Sequence, residues 1–598
     1  MISAKSAGAV ILILALILLL AAGCETVAEE PAEVAEPEEA PEQEETEEPE
    51  IRVKHVEAVV SAHRLATEAG AEILAAGGTA ADAAITVAAV LTVVEPYFSS
   101  ALGGGTWALY YDAENNEITS LDGVGPIGSN ATIEDYDARG GSNGIHQAVV
   151  PGAWDGWMLW LEEYGVMELG ELLEPAIRIG REGYPVGTSM SGYLNAQSSL
   201  IAGSSYTAAI YMPEGSLVQT GDIVYQYDLA DTFEDLAEVY EDALEQGRSQ
   251  AIREVRDHFY RGPYADAIVE YSDAYGGYLT LEDFHNFEAE IVDPISINYD
   301  GGLEVFQNPP NSQGITQLLA LNILKGFDFS GLGPDDPEAI HLQVEALKLA
   351  FADRHHYIGD PARVDIPLEE LLSDQYAEQQ RQRIDRESAM TWPIEAGLAV
   401  ENELGGTSTY HIVDSSGNAA AVTTSLGFQF LVIGDTGIHI NNRMRMSSTE
   451  EGTPNQLTPG YKVRHTSNPY LVLRDGKPYI LGGNTGADTQ PQGQLQQFIN
   501  IVEFGLSAQE AADRPRFYTT AKPAGTYPYQ VDNTLQVQEN FPSAAREGLS
   551  ALGHSIGIGG IFGSAHILIV EEGGDQAQVG EDPGLDTSYG IVIPVEEQ

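Results

Sequence analysis

The residues best suited to chemistry are a threonine behind two glycines, in the run Gly405-Gly406-Thr407. A threonine hydroxyl is a weak nucleophile and needs a base to take its proton. If the bond before Thr407 is cut, the new α-amino group, which titrates at about pH 8, can act as that base. Gly406 suits such a cut because glycine most easily adopts the strained backbone that hydroxyl attack requires. By itself, however, a Gly-Thr pair at a strand start is common and favours an ordinary hairpin.

The neighbouring residues predict where this threonine lies. Residues 407–413 alternate as a strand, and the turn-rich segment 414–418 closes a hairpin with 419–426. If all five turn residues form the loop, counting back along both strands sets Thr407 opposite Ser425. A loop one residue shorter would break that pairing, so the predicted register is testable.

Helical patterns dominate before Thr407 and strand patterns after it. The middle of the chain, about 150 to 390, is mostly helical in pattern. The patterns predict helices over 56–76, 79–94 and 338–353, a hairpin of strands over 106–112 and 117–121, a polar loop over 387–406, and strands over 407–413, 419–426, 469–474, 478–482 and 565–570. The 13 histidines show no HExxH or other ligand spacing, so we expect no metal site and no cofactor.

The N-terminus resembles a bacterial lipoprotein signal over residues 1–24. Lys5 precedes an apolar run that ends in Leu20-Ala21-Ala22-Gly23-Cys24, the pattern of a lipobox in which the cysteine is lipidated. An ordinary signal peptide or an uncleaved anchor with an incidental cysteine is the alternative. Cys24 is the only cysteine, which excludes an internal disulfide. We therefore expect an extracytoplasmic protein held at the membrane by a lipid anchor alone.

The charge of the chain is strongly acidic. Residues 25–50 contain 13 glutamates and no lysine or arginine, which predicts a disordered tether, with an acidic binding tail as the alternative. The net charge is −63, and the acidic excess is spread over the whole chain. Such a surface excludes charge-driven binding to nucleic acid or to an anionic membrane. It suits a high-salt environment, a hypothesis that stability unaffected by lowering salt would contradict.

Ordered motifs along the chain resemble the gamma-glutamyltranspeptidase (glutathione hydrolase) family from about residue 55 to 595. Besides the Thr407 segment and the stretches 69–84, 352–361 and 437–442, the motifs are Val94-Glu95-Pro96, Leu102-Gly103-Gly104-Gly105, Val150-Pro151-Gly152, Asn308-Pro309-Pro310-Asn311-Ser312-Gln313-Gly314 and Ala511-Ala512-Asp513-Arg514-Pro515-Arg516-Phe517.

The resemblance implies an α+β fold, the four-layer αββα sandwich of N-terminal nucleophile hydrolases. It implies a proenzyme that splits after Gly406 into a large subunit, 51–406, and a small subunit, 407–598, which remain together as a heterodimer. Thr407 would be the nucleophile, with its α-amino group as base and Ser425 as its hydroxyl partner. The oxyanion N–H groups would come from Gly486 and Ala487, where the family has two glycines.

The substrate-binding positions depart from the family pattern. The arginine of the early hairpin is missing from Leu121-Asp122-Gly123-Val124-Gly125-Pro126. Arg443 and Met446 stand where a glutamine and an aspartate hold the substrate ammonium, and His465 and Thr466 replace a serine pair that grips its carboxylate.

Two alternatives remain for the arginines of this segment. Arg443 and Arg445 bind a substrate carboxylate in another orientation, or they pair structurally with acidic neighbours such as Glu450.

These observations predict a self-processing amidohydrolase that cleaves gamma-glutamyl amides, small-molecule substrates whose acyl group passes to water or to an amine. The first alternative is an N-acyl amidase or acylase that acts on another carboxylated amide or on a cell-envelope polymer. The second is a lipid-anchored binding protein that has lost catalysis, against which the retained Gly406, Thr407 and Ser425 argue.

Overall fold

The structure is a computed structural model that describes residues 55–391, 406–523, 531–560 and 562–594. All of these residues fall in one unit of the chain, Arg52–Gln598. The predicted signal with Cys24, the predicted tether over 25–50 and most of the predicted loop before Thr407 lie outside the described residues. None of the helices within the described ranges has the length and apolar character that a membrane span requires.

Eighteen strands are described within these ranges. They are β1 (Glu57–Ser61), β2 (Gly105–Asp112), β3 (Glu117–Gly123), β4 (Tyr184–Pro185), β5 (Ile223–Val224), β6 (Glu290–Val292), β7 (Ile295–Tyr299), β8 (Leu303–Gln307), β9 (Ser408–Val413), β10 (Ala419–Ser425), β11 (Tyr470–Arg474), β12 (Lys477–Asn484), β13 (Phe517–Thr519), β14 (Thr534–Val537), β15 (Ser555–Ile558), β16 (Ala565–Val570), β17 (Ala577–Gly580) and β18 (Tyr589–Ile593).

Nineteen α-helices are described alongside them. They are α1 (Arg64–Ala75), α2 (Ala80–Val94), α3 (Ile133–Arg139), α4 (Ala153–Glu163), α5 (Leu169–Glu182), α6 (Thr188–Ala196), α7 (Ser198–Gly203), α8 (Ser205–Tyr211), α9 (Tyr227–Ala243), α10 (Arg248–Tyr260), α11 (Pro263–Tyr275), α12 (Leu281–His285), α13 (Ile315–Leu324), α14 (Pro337–Tyr357), α15 (Leu368–Leu371), α16 (Asp374–Arg381), α17 (Thr489–Val502), α18 (Ala508–Asp513) and α19 (Ser543–Ala551).

Two antiparallel sheets form the centre of the fold. The first has the strand order β18-β1-β9-β10-β2-β3-β6, and the second has the order β17-β16-β12-β11-β8-β7. Apolar side chains from one face of each sheet meet in a shared core, for example Ala58, Val413 and Ala421 from the first sheet with Leu471 and Leu568 from the second. The strand pleat sends alternate residues to the opposite face, so each sheet also has an outward apolar face.

Helices cover both outward faces. The first sheet sends residues such as Tyr410, Ile412 and Val422 into a large core with α1, α2, α4, α5 and α9. The second sheet packs on α13, α14, α17 and α18 through a separate core. The order helix, sheet, sheet, helix confirms the predicted α+β sandwich of four layers.

One predicted element is wrong in its first part. The predicted helix over 56–76 begins only at Arg64, because Glu57–Ser61 is the strand β1 and pairs with β9 and β18. A run of alanine and valine is compatible both with a central strand that is buried on both faces and with a buried helix. The second predicted helix is confirmed as α2, which begins after a Thr79 capping box.

The predicted strands are confirmed to within a few residues. The early hairpin is β2–β3, and the five predicted later strands are β9, β10, β11, β12 and β16. The register between β9 and β10 is the predicted one, since Thr409 pairs with Thr423 and Ser408 pairs with Thr424.

Candidate active site

Thr407 lies immediately before β9, near the centre of the first sheet. The β9–β10 register continues to it, so Thr407 and Ser425 face each other with their hydroxyl oxygens 3.5 Å apart. The side chains of both residues are buried. The two hydroxyls predicted from the sequence to face each other are therefore together in the structure.

The Ser425 hydroxyl is hydrogen-bonded to the peptide group before Thr407. Its oxygen accepts hydrogen bonds from the Gly427 N–H at 3.1 Å and from Arg443 Nη1 at 3.0 Å. Thr407 Oγ1 is a third, more distant donor to the same oxygen at 3.5 Å, and the Ser425 hydroxyl proton is donated to the Gly406 carbonyl oxygen at 2.7 Å. Ser425 therefore polarises the Gly406 carbonyl.

Gln490 provides a second contact to Thr407. Its Nε2 donates to Thr407 Oγ1 at 3.2 Å, from the first turn of α17. This contact occupies a lone pair of the threonine oxygen, whose own proton is directed to Ser425 Oγ. Gln490 is not among the residues predicted for the site, although it stands three residues after the predicted oxyanion pair.

The predicted oxyanion residues form the turn that leads into α17. Both have left-handed backbone, with φ of +92° at Gly486 and +49° at Ala487. Among the described residues, no group accepts a hydrogen bond from the N–H of either residue, so both donors are available. Gly486 lines the same cavity as Thr407. An alanine in this conformation costs about 1–2 kcal/mol, which neighbouring hydrogen bonds must offset.

A buried network supplies that support. Gln313 Nε2 donates to the carbonyl oxygens of Ala487 and Thr466, each at 3.0 Å. Arg354 Nη1 donates to Gln313 Oε1 at 2.6 Å, and the guanidinium also pairs with Asp488. Although burial opposes ionisation of Asp488, the charges of Arg354 and Lys522 hold its pKa well below the usual range. The motif residues Gln313 and Arg354 therefore fix the oxyanion turn.

Arg443 lies beside the Thr407–Ser425 pair. It is 1% exposed and belongs to the 3-10 turn Arg443–Met446. Besides its bond to Ser425, its Nη2 donates to Thr466 Oγ1 at 2.8 Å. The structure therefore brings Arg443 and Thr466 together at Ser425, while Glu450 is exposed on the surface.

The other two predicted binding residues are placed differently. His465 is buried, and burial together with the charges of Arg443 and Lys462 holds its pKa well below the usual value, so the ring is neutral. Arg445 is half-buried and lies near the Tyr136 hydroxyl. Burial raises the pKa of Tyr136 to about 12, and the charge of Arg445 opposes that rise.

Of the two positions after Asn442 that hold an ammonium in the family pattern, Arg443 carries a positive charge and Met446 is apolar. Met444 and Met446 pack with Tyr136, Leu457 and Ala487 in one buried cluster. An ammonium here would lose its hydration without gaining a carboxylate partner, and it would face the Arg443 guanidinium.

A cavity of about 270 Å³ opens on another side of Thr407. Its lining includes Glu95, Phe98 and Tyr193 and the ion pair between Arg516 and Asp582, whose Nη1 and Oδ2 are 2.8 Å apart. None of these residues is among those predicted for the site, although Glu95 and Arg516 lie in motifs that carry the family resemblance.

Glu95 is the carboxyl group in this lining that has no arginine beside it. Ser408 Oγ donates to Glu95 Oε2 at 2.5 Å. Burial raises the pKa of Glu95 to about 7, and the bonds from Ser408 and Tyr97 oppose that rise. The group therefore titrates near neutral pH next to the strand that follows Thr407.

Comparison with known proteins places this geometry in a family. The family model described as Gamma-glutamyltranspeptidase matches residues 66–590. The chain is 35% identical to the glutathione hydrolase-like YwrD proenzyme of Bacillus subtilis (strain 168), over 88% of this chain and 97% of that protein. It is 32% identical to the acylase ACY 1 proenzyme of Pseudomonas sp. (strain SE83), over 83% of this chain and 87% of that protein.

A solved structure agrees with these sequence matches. The crystal structure of a cephalosporin acylase from Bacillus halodurans superimposes with a TM-score of 0.79 at 31% identity, covering 91% of this chain and 97% of that chain. The four-layer sandwich and the turn beside Thr407 thus occur in a chain similar to proenzymes of two kinds, hydrolase-like and acylase.

Proposed function

The chain belongs to the gamma-glutamyltranspeptidase family and is an amidohydrolase or acyltransferase of that type, and from this premise we propose that it cuts its own Gly406–Thr407 bond and then uses Thr407 as its nucleophile. One observation carries the proposal. The Ser425 hydroxyl donates to the Gly406 carbonyl oxygen at 2.7 Å, with the Arg443 guanidinium behind it. A carbonyl polarised in this way is prepared for attack by the adjacent hydroxyl.

The self-cleavage follows from these contacts. Thr407 Oγ1 attacks the Gly406 carbonyl carbon, and negative charge develops on an oxygen that already receives the Ser425 proton donor. The C–N bond breaks, the Thr407 hydroxyl proton goes to the departing nitrogen, and an ester joins Gly406 to the Thr407 side chain. Water then hydrolyses the ester, which leaves a carboxylate on Gly406 and a free α-amino group on Thr407. The proposed cut separates the large subunit, which spans 51–406 behind the predicted tether, from the small subunit 407–598.

The mature enzyme reuses the same oxygen on an external amide. The α-amino group takes the Thr407 hydroxyl proton, and the oxygen attacks the substrate carbonyl. The N–H groups of Gly486 and Ala487 stabilise the tetrahedral oxyanion, and Gln490 holds the threonine rotamer. The leaving amine receives the proton, and water or an acceptor amine then resolves the acyl-enzyme.

Gamma-glutamyl amides are the proposed substrates, because the family match extends over most of the chain. A second candidate class has a specific observation in its favour. Arg443, Met444 and Met446 occupy the region where a glutamyl ammonium would bind, and a guanidinium beside two thioethers repels an ammonium. An acyl group with a carboxylate and no amine would instead pair with Arg443, which describes an N-acyl amidase or acylase.

Two matched anilides separate these substrates. One carries a gamma-glutamyl group, and the other carries the same five-carbon acyl chain without its amino group. Faster turnover of the gamma-glutamyl compound supports the first class, and faster turnover of the deamino compound supports the second. Turnover of neither compound would contradict both and would favour a binding protein that has lost catalysis.

Self-cleavage is tested first on a denaturing gel. The purified wild-type chain should run as two fragments, whereas Thr407→Ala should remain one chain. Thr424→Ala is the matched control, because that hydroxyl lies on the opposite face of β10 from Ser425. A wild-type chain that stays intact, or a Thr407→Ala chain that still splits, would contradict the proposal.

We propose that the enzyme acts outside the cytoplasm as a lipid-anchored protein. The signal pattern that ends at Cys24 and the acidic composition of 25–50 support this location. Cys24→Ser should move the enzyme from the membrane fraction to the soluble fraction and should abolish labelling by a fatty-acid probe. Unchanged membrane association without labelling would contradict lipidation.

A further inference from the structure

Three buried side chains outside the Thr407 site come together from distant parts of the chain. His341 and Glu345 lie one turn apart on α14, and His554 immediately precedes β15. One nitrogen or carboxylate oxygen from each residue lies within 4.8 Å of the other two. The exposed fraction is 0% for His341 and Glu345 and 7% for His554. The three side chains are therefore grouped in the interior and not on the protein surface.

The hydrogen bonds fix which atoms face each other. His341 Nε2 lies 2.8 Å from the carbonyl oxygen of Asp385, which only accepts, so the ring proton sits on Nε2. In the neutral ring Nδ1 is then an acceptor, and it lies 2.8 Å from His554 Nε2. Glu345 Oε1 lies 3.9 Å from that same His554 nitrogen. Two ring nitrogens and one carboxylate oxygen therefore converge on one point.

The groups behind these atoms are arranged as they are in metal sites. A histidine that binds a metal commonly donates its other ring N–H to a carbonyl, as His341 does to Asp385. A carboxylate that binds a metal is commonly hydrogen-bonded in turn, and Glu345 Oε2 accepts the Met390 N–H at 2.8 Å.

We propose that His341 Nδ1, His554 Nε2 and Glu345 Oε1 bind a divalent first-row transition-metal ion, with Zn²⁺ as the probe. Zinc accepts imidazole nitrogen and carboxylate oxygen, whereas Ca²⁺ and Mg²⁺ prefer oxygen ligands alone. Binding requires the proton on His554 Nε2 to move to its Nδ1, so both rings stay neutral and no proton is released. This site departs from the expectation drawn from histidine spacing.

An ion pair at the same oxygen is the competing explanation. Lys348 Nζ donates to Glu345 Oε1 at 2.6 Å and to the Met390 carbonyl oxygen at 2.8 Å, so it balances the carboxylate charge without a metal. Replacing the lysine by methionine leaves Glu345 buried and unpaired. A metal ion then becomes its only source of positive charge among these groups, so Lys348→Met should bind Zn²⁺ more tightly.

The proposed ion has a structural consequence. It would join α14 to the residue before β15, and through the bonds of His341 and Glu345 it would also hold Asp385 and Met390. These two residues belong to the last described stretch before the cleavage site. The ion would therefore act as a clip in the second helix layer and would touch no reacting atom.

Metal titration of the chelator-treated chain tests the site. Calorimetry should show about one equivalent of Zn²⁺ bound, and Co²⁺ should give visible d–d absorption. His341→Ala and His554→Ala should abolish both signals, with Glu345→Gln as a second, gentler variant. His285→Ala is the matched control, since that histidine is exposed. Circular dichroism verifies that each variant is folded.

Two results would overturn the proposal. One is a folded wild-type chain that binds no stoichiometric metal, and the other is binding that all three variants retain. Titration of the Thr407→Ala chain separates this question from self-cleavage. Metal binding there is expected to equal that of wild type, whether or not the proposed nucleophile is correct.

Discussion

The β9–β10 hairpin and the segment that carries Arg443 both meet at Thr407, yet they are built in different ways. In the hairpin, strand register alone sets Thr407 opposite Ser425. Around Arg443, the contacts run between side chains, from its guanidinium to the hydroxyls of Ser425 and Thr466. Backbone pairing between the two strands fixes the first arrangement. The second depends on individual side chains, so a single substitution changes it.

This difference explains the mixture of features at the site. Bond breaking needs atoms held to within a fraction of an ångström, which a central strand pair provides. Head-group binding needs only complementary charge and shape, so Arg443, Met446 and His465 replace the family pattern without disturbing the hairpin. The hairpin that is proposed to carry the reaction is therefore more predictable than the segment that is proposed to bind the substrate.

The largest effect is expected from Ser425→Ala. The Gly406 carbonyl loses its hydroxyl donor, and removal of one oxyanion donor typically costs about 10²–10³ in rate. A time course of fragment formation on denaturing gels measures the loss, with Thr424→Ala as control. Fragment formation at the wild-type rate would show that the hairpin contact does not serve the cleavage.

A smaller effect is expected from Arg443→Gln. A hydrogen bond to a charged group is worth about 1.5–3 kcal/mol, which corresponds to about 10–100-fold in kcat/KM for a carboxylated acyl group that Arg443 binds. The loss should be greater for the deamino anilide than for the gamma-glutamyl anilide.

The controls for Arg443→Gln separate a specific effect from a general one. Arg139→Gln, at an exposed ion pair with Asp135, should leave both rates unchanged. Arg445→Gln should have less effect than Arg443→Gln, because Arg445 lies near Tyr136. Equal losses for the two anilides in Arg443→Gln would contradict carboxylate binding by this arginine.

The smallest effect is expected from Glu95→Gln and depends on pH. Burial raises the pKa of Glu95 from 4.5 to about 7, so between these values the folded chain keeps a proton that the unfolded chain has lost. The stability from this group is complete below about pH 4.5 and is lost as the pH rises through about 7. The glutamine stays neutral throughout, so the variant should gain in Tm relative to wild type between about pH 5 and pH 8.

Thermal denaturation at a series of pH values measures that gain. Glu114→Gln, at an exposed position, should show no such trend. A difference between Glu95→Gln and wild type that is constant with pH would mean that Glu95 is ionised in the folded chain.

Local patterns predicted much of the fold and of the hairpin. Alternation along 407–413 and the five-residue turn after it were sufficient for the register, because both signals lie within one short segment. The strand β1 was predicted as helix, because its partners β9 and β18 lie several hundred residues away and its alanine and valine residues fit either structure.

The residues that no local pattern predicted share one property. Glu95 meets Ser408 across 313 positions, and Gln490 meets Thr407 across 83 positions. His341 meets His554 across 213 positions. Residues so far apart in the sequence leave no local spacing pattern, so these contacts become visible only in the folded structure.

The position of β9 within the first sheet gives the proposed cut a lasting consequence. β1 and β2, which precede Gly406, flank the hairpin β9–β10, which follows it, and β18 closes the far side of β1. The severed pieces are interleaved strand by strand, so neither can leave without unravelling the other. After the cut, the sheet keeps a strand order that formed while the chain was still continuous. We expect that the separated fragments will not regenerate the sheet, and that the mature enzyme is a state reached only through its precursor.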